Sequence, residues 1–234
     1  MKFHVVIICL WLVFVYVFIV HAFLSTKSYT RYDTHLICSD KHAYRKSHAL
    51  CTLEQLDLFN VNVFYAIYPI SKELNGYTCP LLKGQYGCIL SHRTIWKNIL
   101  KTSKDTNKWY FIFEDDIDLP ENLKPYDIRR IIQRNLQQAD SQGISVVYLG
   151  HCWKVLCTHA YAIKLPIIQK LYDNTYDCNK NKPKPIDVQM IQVITKLNIR
   201  VLYIDNYKQK YRNWSEGIIH QTGGSTINCK LNCE

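Results

Sequence analysis

The hydrophobic and polar residues of this chain follow two periods, one typical of strands and one typical of helices. Short segments that are apolar on both faces, at residues 109–113 (WYFIF) and 144–149 (ISVVYL), predict buried strands. Residues 86–101 place apolar side chains at helical spacing and predict an amphipathic helix. Similar patterns predict further strands at residues 34–38, 61–67, 159–164 and 200–204, and further helices at residues 47–58, 127–139, 166–172 and 186–197. Strands that alternate with helices predict an α/β fold with a mostly parallel sheet flanked by helices.

The globular part of the chain is predicted to be one domain. The 234 residues are 48% hydrophobic and 13% aromatic. This composition excludes disorder as the main state, because it supplies enough apolar surface for a packed core. No internal repeat or low-complexity linker interrupts residues 33–225. We therefore predict a single domain over residues 33–225, followed by a cysteine-containing tail at residues 226–234.

A long apolar segment lies at the N-terminus, at residues 5–24, and is preceded by Lys2. A helix of this length measures about 30 Å, enough to cross the hydrocarbon core of a bilayer once. One interpretation of residues 1–25 is an uncleaved signal anchor, which would make a single-pass type II membrane protein. The other is a cleaved signal peptide, since Val20 and Ala22 suit a peptidase site. Both predict that the rest of the chain lies in the lumen of the secretory pathway (endoplasmic reticulum or Golgi) or outside the cell.

The cysteine content agrees with an oxidising compartment. The chain has 10 cysteines, of which only Cys9 lies in the apolar segment. We therefore predict disulfides, and leave their pairing open, because spacing alone does not determine it. The remaining number is odd, so at least one cysteine is free or is paired between chains. Asn213 begins the sequon Asn-Trp-Ser, which is compatible with a glycosylated lumenal protein.

The net charge of +10 favours an anionic ligand. The basic residues are scattered along the sequence rather than grouped in one long run. This distribution argues against a nucleic-acid-binding face and favours a small molecule that carries phosphate. Nucleic acid is therefore not expected among the partners.

Three adjacent carboxylates, Glu114, Asp115 and Asp116, follow the predicted buried strand at residues 109–113. Ligands of open α/β sheets bind beyond the carboxyl ends of the strands, which is where these residues are expected. A hard divalent cation such as Mn²⁺ or Mg²⁺, bridged to a diphosphate, would remove their mutual repulsion. In an extended segment Glu114 and Asp116 would face one way and Asp115 the other. The alternative is an acidic loop that only begins the next helix.

Two segments, YGCILSHRTIWKNIL at residues 86–100 and WYFIFEDDIDL at residues 109–119, closely resemble glycosyltransferase family 25. In that family a GCxxSH helix precedes a strand that ends in EDD. The likeness continues, in the order of the family, through YLG at residues 148–150, THAY at 158–161, PIDV at 185–188 and GIIHQ at 217–221. The resemblance implies a GT-A fold, a nucleotide-sugar donor, commonly UDP-galactose or UDP-glucose, a Mn²⁺-type metal, and inversion at the anomeric carbon.

The resemblance also implies roles for residues on the donor side of the site. Asp116, together with Glu114 or Asp115, would hold the metal and, through it, the diphosphate of the donor. Ser91 and His92 match the serine and histidine of the family's helix and would help to shape the donor pocket. For His92 the alternative is a buried helix histidine that only satisfies its own hydrogen bonds.

Two further residues are predicted from the motifs late in the chain. Inversion requires a base that removes the proton of the acceptor hydroxyl, and Asp187 of the PIDV motif is the predicted catalytic base. Its alternative role is to cap the helix that begins there. His220 of the GIIHQ motif is predicted as a further metal ligand, or else as a strand residue without a role. The first-strand motif of the family is altered here, and Arg45 stands in the approximate place of a family arginine.

We therefore predict a metal-dependent enzyme that transfers a hexose from a UDP-sugar to a hydroxyl acceptor. The acceptor would be a glycan, a lipid-linked sugar or a protein. If residues 5–24 are not cleaved, the enzyme would also contact the membrane. One alternative is a non-catalytic module of the same fold that binds glycans or nucleotide sugars. Another is a metal-dependent phosphohydrolase that uses the same carboxylates.

Overall fold

The structure is a computed structural model, and it describes residues 31–69, 73–74, 77–152, 156–178, 184–204, 215–217 and 219–221. The predicted signal segment at residues 1–25, the sequon at Asn213 and the tail at residues 226–234 lie outside these residues. Among the described residues, no helix combines the length and the apolar character that a membrane span requires.

Strands and helices alternate along most of the described chain. The strands are β1 (Tyr32–Cys38), β2 (Phe59–Tyr65), β3 (Glu73–Leu74), β4 (Tyr77–Thr78), β5 (Trp109–Glu114), β6 (Ile117–Asp118), β7 (Val146–Cys152), β8 (Leu156–Lys164), β9 (Leu202–Tyr203), β10 (Ser215–Gly217) and β11 (His220–Gln221). The helices are α1 (Ala43–Leu56), α2 (Lys83–Thr102), α3 (Pro125–Ser141), α4 (Leu165–Asn174) and α5 (Ile186–Lys196).

The central sheet is mixed. Its strand order is β10-β7-β8-β5-β1-β2, and β9 pairs with β7. The pairs β1–β2, β1–β5 and β7–β9 are parallel, whereas β5–β8, β7–β8 and β7–β10 are antiparallel. The prediction of an α/β fold with flanking helices is confirmed, but the prediction of a mostly parallel sheet is wrong. The reason is that β7 ends at Cys152 and β8 begins at Leu156, a connection far shorter than the crossover that parallel neighbours need.

The middle strand β5 is buried on both faces. Phe111 and Phe113 belong to a core region that also contains buried residues of α1 and α3. Tyr110 and Ile112 belong to a second core region, on the opposite face, with buried residues of α2, α4 and α5. The continuous apolar run of β5 therefore separates two cores, and Glu114 is the first charged residue of the strand.

The other predicted elements are present, with bounds that differ by a few residues. The largest difference is α1, which begins at Ala43 instead of Ser47. Its first turn is closed by the backbone N–H groups of Arg45 and Lys46, which donate to the carbonyl oxygen of His42. This additional turn carries Arg45 to the acidic residues that follow β5, a long-range contact that no local pattern shows.

A disulfide joins Cys79, in the segment before α2, to Cys178, in the segment after α4. The prediction that some cysteines pair is therefore confirmed. Cys38 and Cys88 are free thiols. The bond connects two segments that are 99 residues apart in sequence, and both lie on the face of the sheet that carries α2, α4 and α5.

Candidate active site

We call Glu114, Asp115 and Asp116 the acidic turn. Glu114 is the last residue of β5, and the chain turns at Asp115 and Asp116 before β6 begins at Ile117. The parallel neighbour of β5 is β1, in which Ile37 lies opposite Glu114. The residues that follow both strands therefore meet at one edge of the sheet, the edge at which α/β proteins bind ligands.

A single arginine contacts two carboxylates of the acidic turn. The Nη2 atom of Arg45 lies 2.7 Å from Oδ1 of Asp115 and 3.4 Å from Oδ2 of Asp116. The Arg45 side chain is 28% exposed, whereas those of Asp115 and Asp116 are 7% and 14% exposed. The backbone N–H of Ser39, directly after β1, donates to Oδ2 of Asp115 at 2.6 Å. Asp115 is thus held by the first strand and the first helix, and one positive charge offsets the repulsion between the two aspartates.

Glu114 is held by different partners. Its Oε1 atom accepts hydrogen bonds from Thr158 Oγ1 at 2.5 Å and from His92 Nε2 at 3.2 Å, and the thiol of Cys88 lies 4.0 Å from the same oxygen. Burial by itself raises the pKa of Glu114. The hydrogen bond from His92, the electrostatic attraction of His92 and the hydrogen bond from Thr158 outweigh burial and lower the pKa to about 2. Glu114 is therefore a carboxylate in neutral solution.

The hydrogen bonds continue from His92 into the core. The hydroxyl of Tyr161, on β8, lies 3.0 Å from His92 Nδ1 and 3.1 Å from Nε1 of Trp96. His92, Trp96 and Tyr161 are fully buried. Glu114, at the end of β5, is thus connected to α2 and β8 by side chains that are buried from solvent.

The GCxxSH motif of α2 packs against the loop after β2 and contacts Glu114. A Cβ atom on Gly87 would lie only 2.3 Å from the carbonyl oxygen of Ile67, so only glycine allows the loop after β2 to pack on the helix. Ser91 accepts a hydrogen bond from the N–H of Ile67 at 2.9 Å and donates one to the carbonyl of Gly87 at 2.8 Å. Ser91 and His92, both predicted for the donor pocket, are completely buried. In this structure Ser91 contacts the loop after β2 and His92 contacts Glu114, and their role at the donor pocket stays a prediction.

Asp187, the predicted base, is the second residue of α5 and is partly buried. Its Oδ1 accepts a hydrogen bond from the N–H of Val188 at 2.8 Å, which agrees with a role at the helix terminus. Its charge also acts on a residue of the GCxxSH helix. Burial, and then the charges of Glu114, Asp187 and Asp116, raise the pKa of the Cys88 thiol well above its ordinary value, although a hydrogen bond with Thr158 opposes them. The charges of these three carboxylates therefore act on the same thiol.

His220, the predicted additional metal ligand, lies in β11. This strand pairs with β6 in antiparallel orientation, with His220 opposite Asp118. The backbone of His220 is therefore beside the strand that follows the acidic turn. Its role as a ligand stays a prediction. Asp118 also faces the buried His48 of α1, whose Nε2 atom lies 3.4 Å from Oδ1 of Asp118.

The side chains at this edge offer two types of metal donor. Glu114, Asp115 and Asp116 provide hard carboxylate oxygens, which suit Mn²⁺ or Mg²⁺. The guanidinium of Arg45, 2.7 Å and 3.4 Å from the two aspartates, shows that this cluster already attracts a cation. The donor set thus fits the metal that the sequence motifs imply. A second, softer set consists of Cys88, His92 and Glu114, whose ligand atoms lie within 4.8 Å of one another.

Sequence reasoning missed four residues that organise the site, or assigned them no chemistry. Ser39 and Arg45 hold Asp115, while Thr158 and Tyr161 lead to Glu114, directly and through His92 respectively. The motif THAY contains two of them, and their polar groups in a buried strand were a usable signal. Thr158 and Tyr161 are both polar residues in a strand whose other described side chains are mostly apolar and buried.

Part of the chain is similar to a known protein family. Residues 33–145 match the family described as glycosyltransferase family 25 (LPS biosynthesis protein). These residues contain β1, the GCxxSH helix and the acidic turn. The resemblance to glycosyltransferase family 25 that the motifs indicated is therefore confirmed for these residues. The match agrees with the prediction of a glycosyltransferase.

Comparison with whole proteins adds less. No curated protein sequence matches the chain. Among solved structures, the chain is similar to the apo form of the glycosyltransferase GlyE of Streptococcus pneumoniae TIGR4, with a TM-score of 0.38 and 12% identity. The similarity covers 74% of this chain and 45% of the GlyE chain, so the chain spans less than half of that protein.

Proposed function

We propose that this protein transfers a hexose, galactose or glucose, from a UDP-sugar to a hydroxyl acceptor in a metal-dependent, inverting reaction on a GT-A-type fold. The observation that carries the proposal is the acidic turn at the carboxyl edge of β1 and β5, where Asp115 and Asp116 face one guanidinium. Carboxylates concentrated at this edge, beside a basic residue, suit a divalent cation and the diphosphate of a nucleotide sugar.

In this proposal Asp116, with Glu114 or Asp115, holds Mn²⁺ or Mg²⁺. When bound, the metal supplies Lewis-acid stabilisation of the negative charge that develops on the departing UDP. Arg45 is half-buried beside the same carboxylates. Once a dication compensates the aspartates, the guanidinium is available to the diphosphate, and the net charge of +10 favours the same anionic donor.

Asp187 is our candidate for the base that takes the proton of the acceptor hydroxyl. Its charge acts on the thiol of Cys88, together with the charges of Glu114 and Asp116. A base on the acceptor side must be near the donor but separate from the metal ligands, and α5 begins on the α2 side of the sheet. His220 remains a candidate for the additional metal ligand.

The secretory pathway is the proposed compartment. The disulfide between Cys79 and Cys178 supports it, because structural disulfides persist in oxidising compartments and are rare in the cytosol. A lumenal glycosyltransferase would use a glycan, a lipid-linked sugar or a protein as its acceptor, and residues 5–24 would hold it at the membrane if they are retained.

A donor-hydrolysis screen tests the proposal. The full chain is incubated with UDP-Gal, UDP-Glc, UDP-GlcNAc or GDP-Man, with and without Mn²⁺, and the release of free nucleoside diphosphate is measured. We expect Mn²⁺-dependent release of UDP from UDP-Gal or UDP-Glc. Asp116→Ala should abolish turnover while the protein stays folded, whereas Asp173→Asn, an exposed change on α4, should have no effect.

Three results would contradict the proposal. Full activity of Asp116→Ala would remove the acidic turn from the mechanism. Release of inorganic phosphate instead of UDP would indicate a phosphohydrolase. Binding of UDP-sugars without turnover, over many acceptors, would indicate a non-catalytic module.

A further inference from the structure

A chain of buried hydrogen bonds runs from the core to the acidic turn. It begins at Nε1 of Trp96, 3.1 Å from the hydroxyl of Tyr161, continues 3.0 Å to Nδ1 of His92, and ends 3.2 Å from Nε2 of His92 at Oε1 of Glu114. We call Trp96, Tyr161 and His92 the relay. All three residues are inaccessible to solvent, and they come from two different elements, α2 and β8.

The direction of each hydrogen bond in the relay follows from its chemistry. The indole N–H of Trp96 can only donate, so the oxygen of Tyr161 accepts. The described contacts of the Tyr161 hydroxyl are Trp96 and His92 alone, so its proton goes to Nδ1 of His92. Otherwise this buried proton would have no acceptor, which costs about 1–3 kcal/mol. His92 is therefore the neutral tautomer protonated at Nε2, and it donates to Glu114.

The relay uses only one oxygen of Glu114. His92 and Thr158 both donate to Oε1, and none of the described contacts involves Oε2. The Glu114 side chain remains 24% exposed although its partner His92 is 0% exposed. One oxygen is thus anchored in the protein and the other is left toward the open edge. Carboxylates that bind metals are commonly held in this way by hydrogen bonds from outer residues.

We propose that Tyr161 and His92 are positioning residues, which hold Glu114, and with it the acidic turn, in the geometry that binds the donor's metal and diphosphate. The proposal rests on the proposed function. It also gives the THAY and GCxxSH segments a shared role, because Tyr161 of β8 and His92 of α2 belong to one series of hydrogen bonds that ends at Glu114. The softer set of Cys88, His92 and Glu114 is then a part of the support and not a second metal site.

The first test measures the tautomer of His92. Ring ¹⁵N shifts are recorded on the full chain at pH 7.5, and the His92 signal is assigned by its absence in His92→Gln. We expect protonated Nε2 and unprotonated Nδ1, unchanged when one equivalent of Zn²⁺ is added. A proton on Nδ1 would overturn the relay. Coordination of Zn²⁺ by Nε2 would overturn it as well, and would assign the Cys88 set as a metal site.

The second test measures the binding of UDP with Mn²⁺ by titration calorimetry. Tyr161→Phe removes a hydroxyl that lies two hydrogen bonds away from Glu114 and leaves all three carboxylates intact. We expect its affinity for Mn²⁺ in the presence of UDP to fall about tenfold, as for other outer residues of metal sites. Tyr148→Phe is the matched control, since Tyr148 is also buried, lies opposite Tyr161 on β7 and makes no described hydrogen bond to His92. Its affinity should stay within about twofold of the wild type.

A rescue separates positioning from general support of the fold. Glutamine at position 92 can accept from Tyr161 and donate to Glu114, whereas leucine can do neither. His92→Gln should therefore keep Mn²⁺ affinity within about threefold, and His92→Leu should lose about tenfold or more. Equal affinities in His92→Gln and His92→Leu, or wild-type affinity in Tyr161→Phe, would overturn the positioning role alone. Failure of the wild-type protein to bind Mn²⁺ and UDP would instead overturn the proposed function, and the positioning role with it.

Discussion

Replacement of Arg45 by methionine tests how the acidic turn is stabilised before a metal binds. Methionine keeps an unbranched apolar stem but removes the guanidinium, which lies 2.7 Å from Asp115 and 3.4 Å from Asp116. Asp115 then keeps the hydrogen bond from the N–H of Ser39, at 2.6 Å, as its remaining described partner. Two adjacent carboxylates, 7% and 14% exposed, would lose their shared cation.

The expected cost follows from burial and distance. Two unit charges about 3 Å apart attract by roughly 5 kcal/mol at an effective permittivity of about 20. The loss of one partner of a buried pair costs about 3–5 kcal/mol. Because 28% of the Arg45 side chain is exposed, water screens part of this interaction. We therefore expect the free energy of unfolding to fall by about 2–3 kcal/mol in metal-free buffer.

Urea denaturation with and without Mn²⁺ measures the effect. Saturating Mn²⁺ should recover at least about 1 kcal/mol of the loss, because a dication stabilises the variant more than the wild type, in which Arg45 competes with it. Arg31→Gln is the control: its ion pair with Asp57 is exposed, at 55% and 47%, and should contribute less than about 1 kcal/mol. A loss below about 0.5 kcal/mol for Arg45→Met, or a loss that Mn²⁺ leaves unchanged, would refute the reasoning.

Three further predictions concern stability. Replacement of Cys79 and its partner Cys178 by alanine should lower the free energy of unfolding by about 4 kcal/mol in urea, because the disulfide closes a loop of 99 residues. Gly87→Ala should cost at least about 2 kcal/mol in the same assay, since its Cβ would lie 2.3 Å from a carbonyl oxygen. Glu114 has a pKa of about 2 in the folded protein, below the ordinary value of 4.5, so its contribution to stability is fully present above about pH 4.5 and is lost as the pH falls through 2. Glu114→Gln should therefore lose less stability than the wild type over that range in metal-free buffer.

Each of these predictions has a control or a contradicting outcome. The disulfide variant should match the wild type measured under reducing conditions, and a difference between them would show that the loop is not the cause. Gly84→Ala, whose Cβ meets nothing within 4 Å, should be neutral or stabilising by up to about 1 kcal/mol. Parallel pH profiles for wild type and Glu114→Gln would contradict the lowered pKa of Glu114.

Much of the site was predictable because its motifs are short and local. The run WYFIF predicts a buried strand, and the three carboxylates that follow it predict a polar site at the strand's end. In the structure Asp115 and Asp116 do lie at the carboxyl edge of parallel strands. The roles of individual residues within the motifs were harder to predict from the sequence. Ser91 and His92 are donor-pocket candidates by resemblance, and their contacts with Ile67 and Glu114 became visible only in the structure.

The sequence by itself determined the alternation of strands and helices, the α2 helix with its apolar face and the position of the acidic turn, because each depends on residues that are neighbours in the chain. Only the tertiary structure decided the strand directions and the partners of the carboxylates. Ser39 and Asp115 are 76 residues apart, and His92 and Tyr161 are 69 apart. Such pairs depend on the order in which strands join the sheet, and a one-dimensional pattern of apolar and polar residues is the same for many orders.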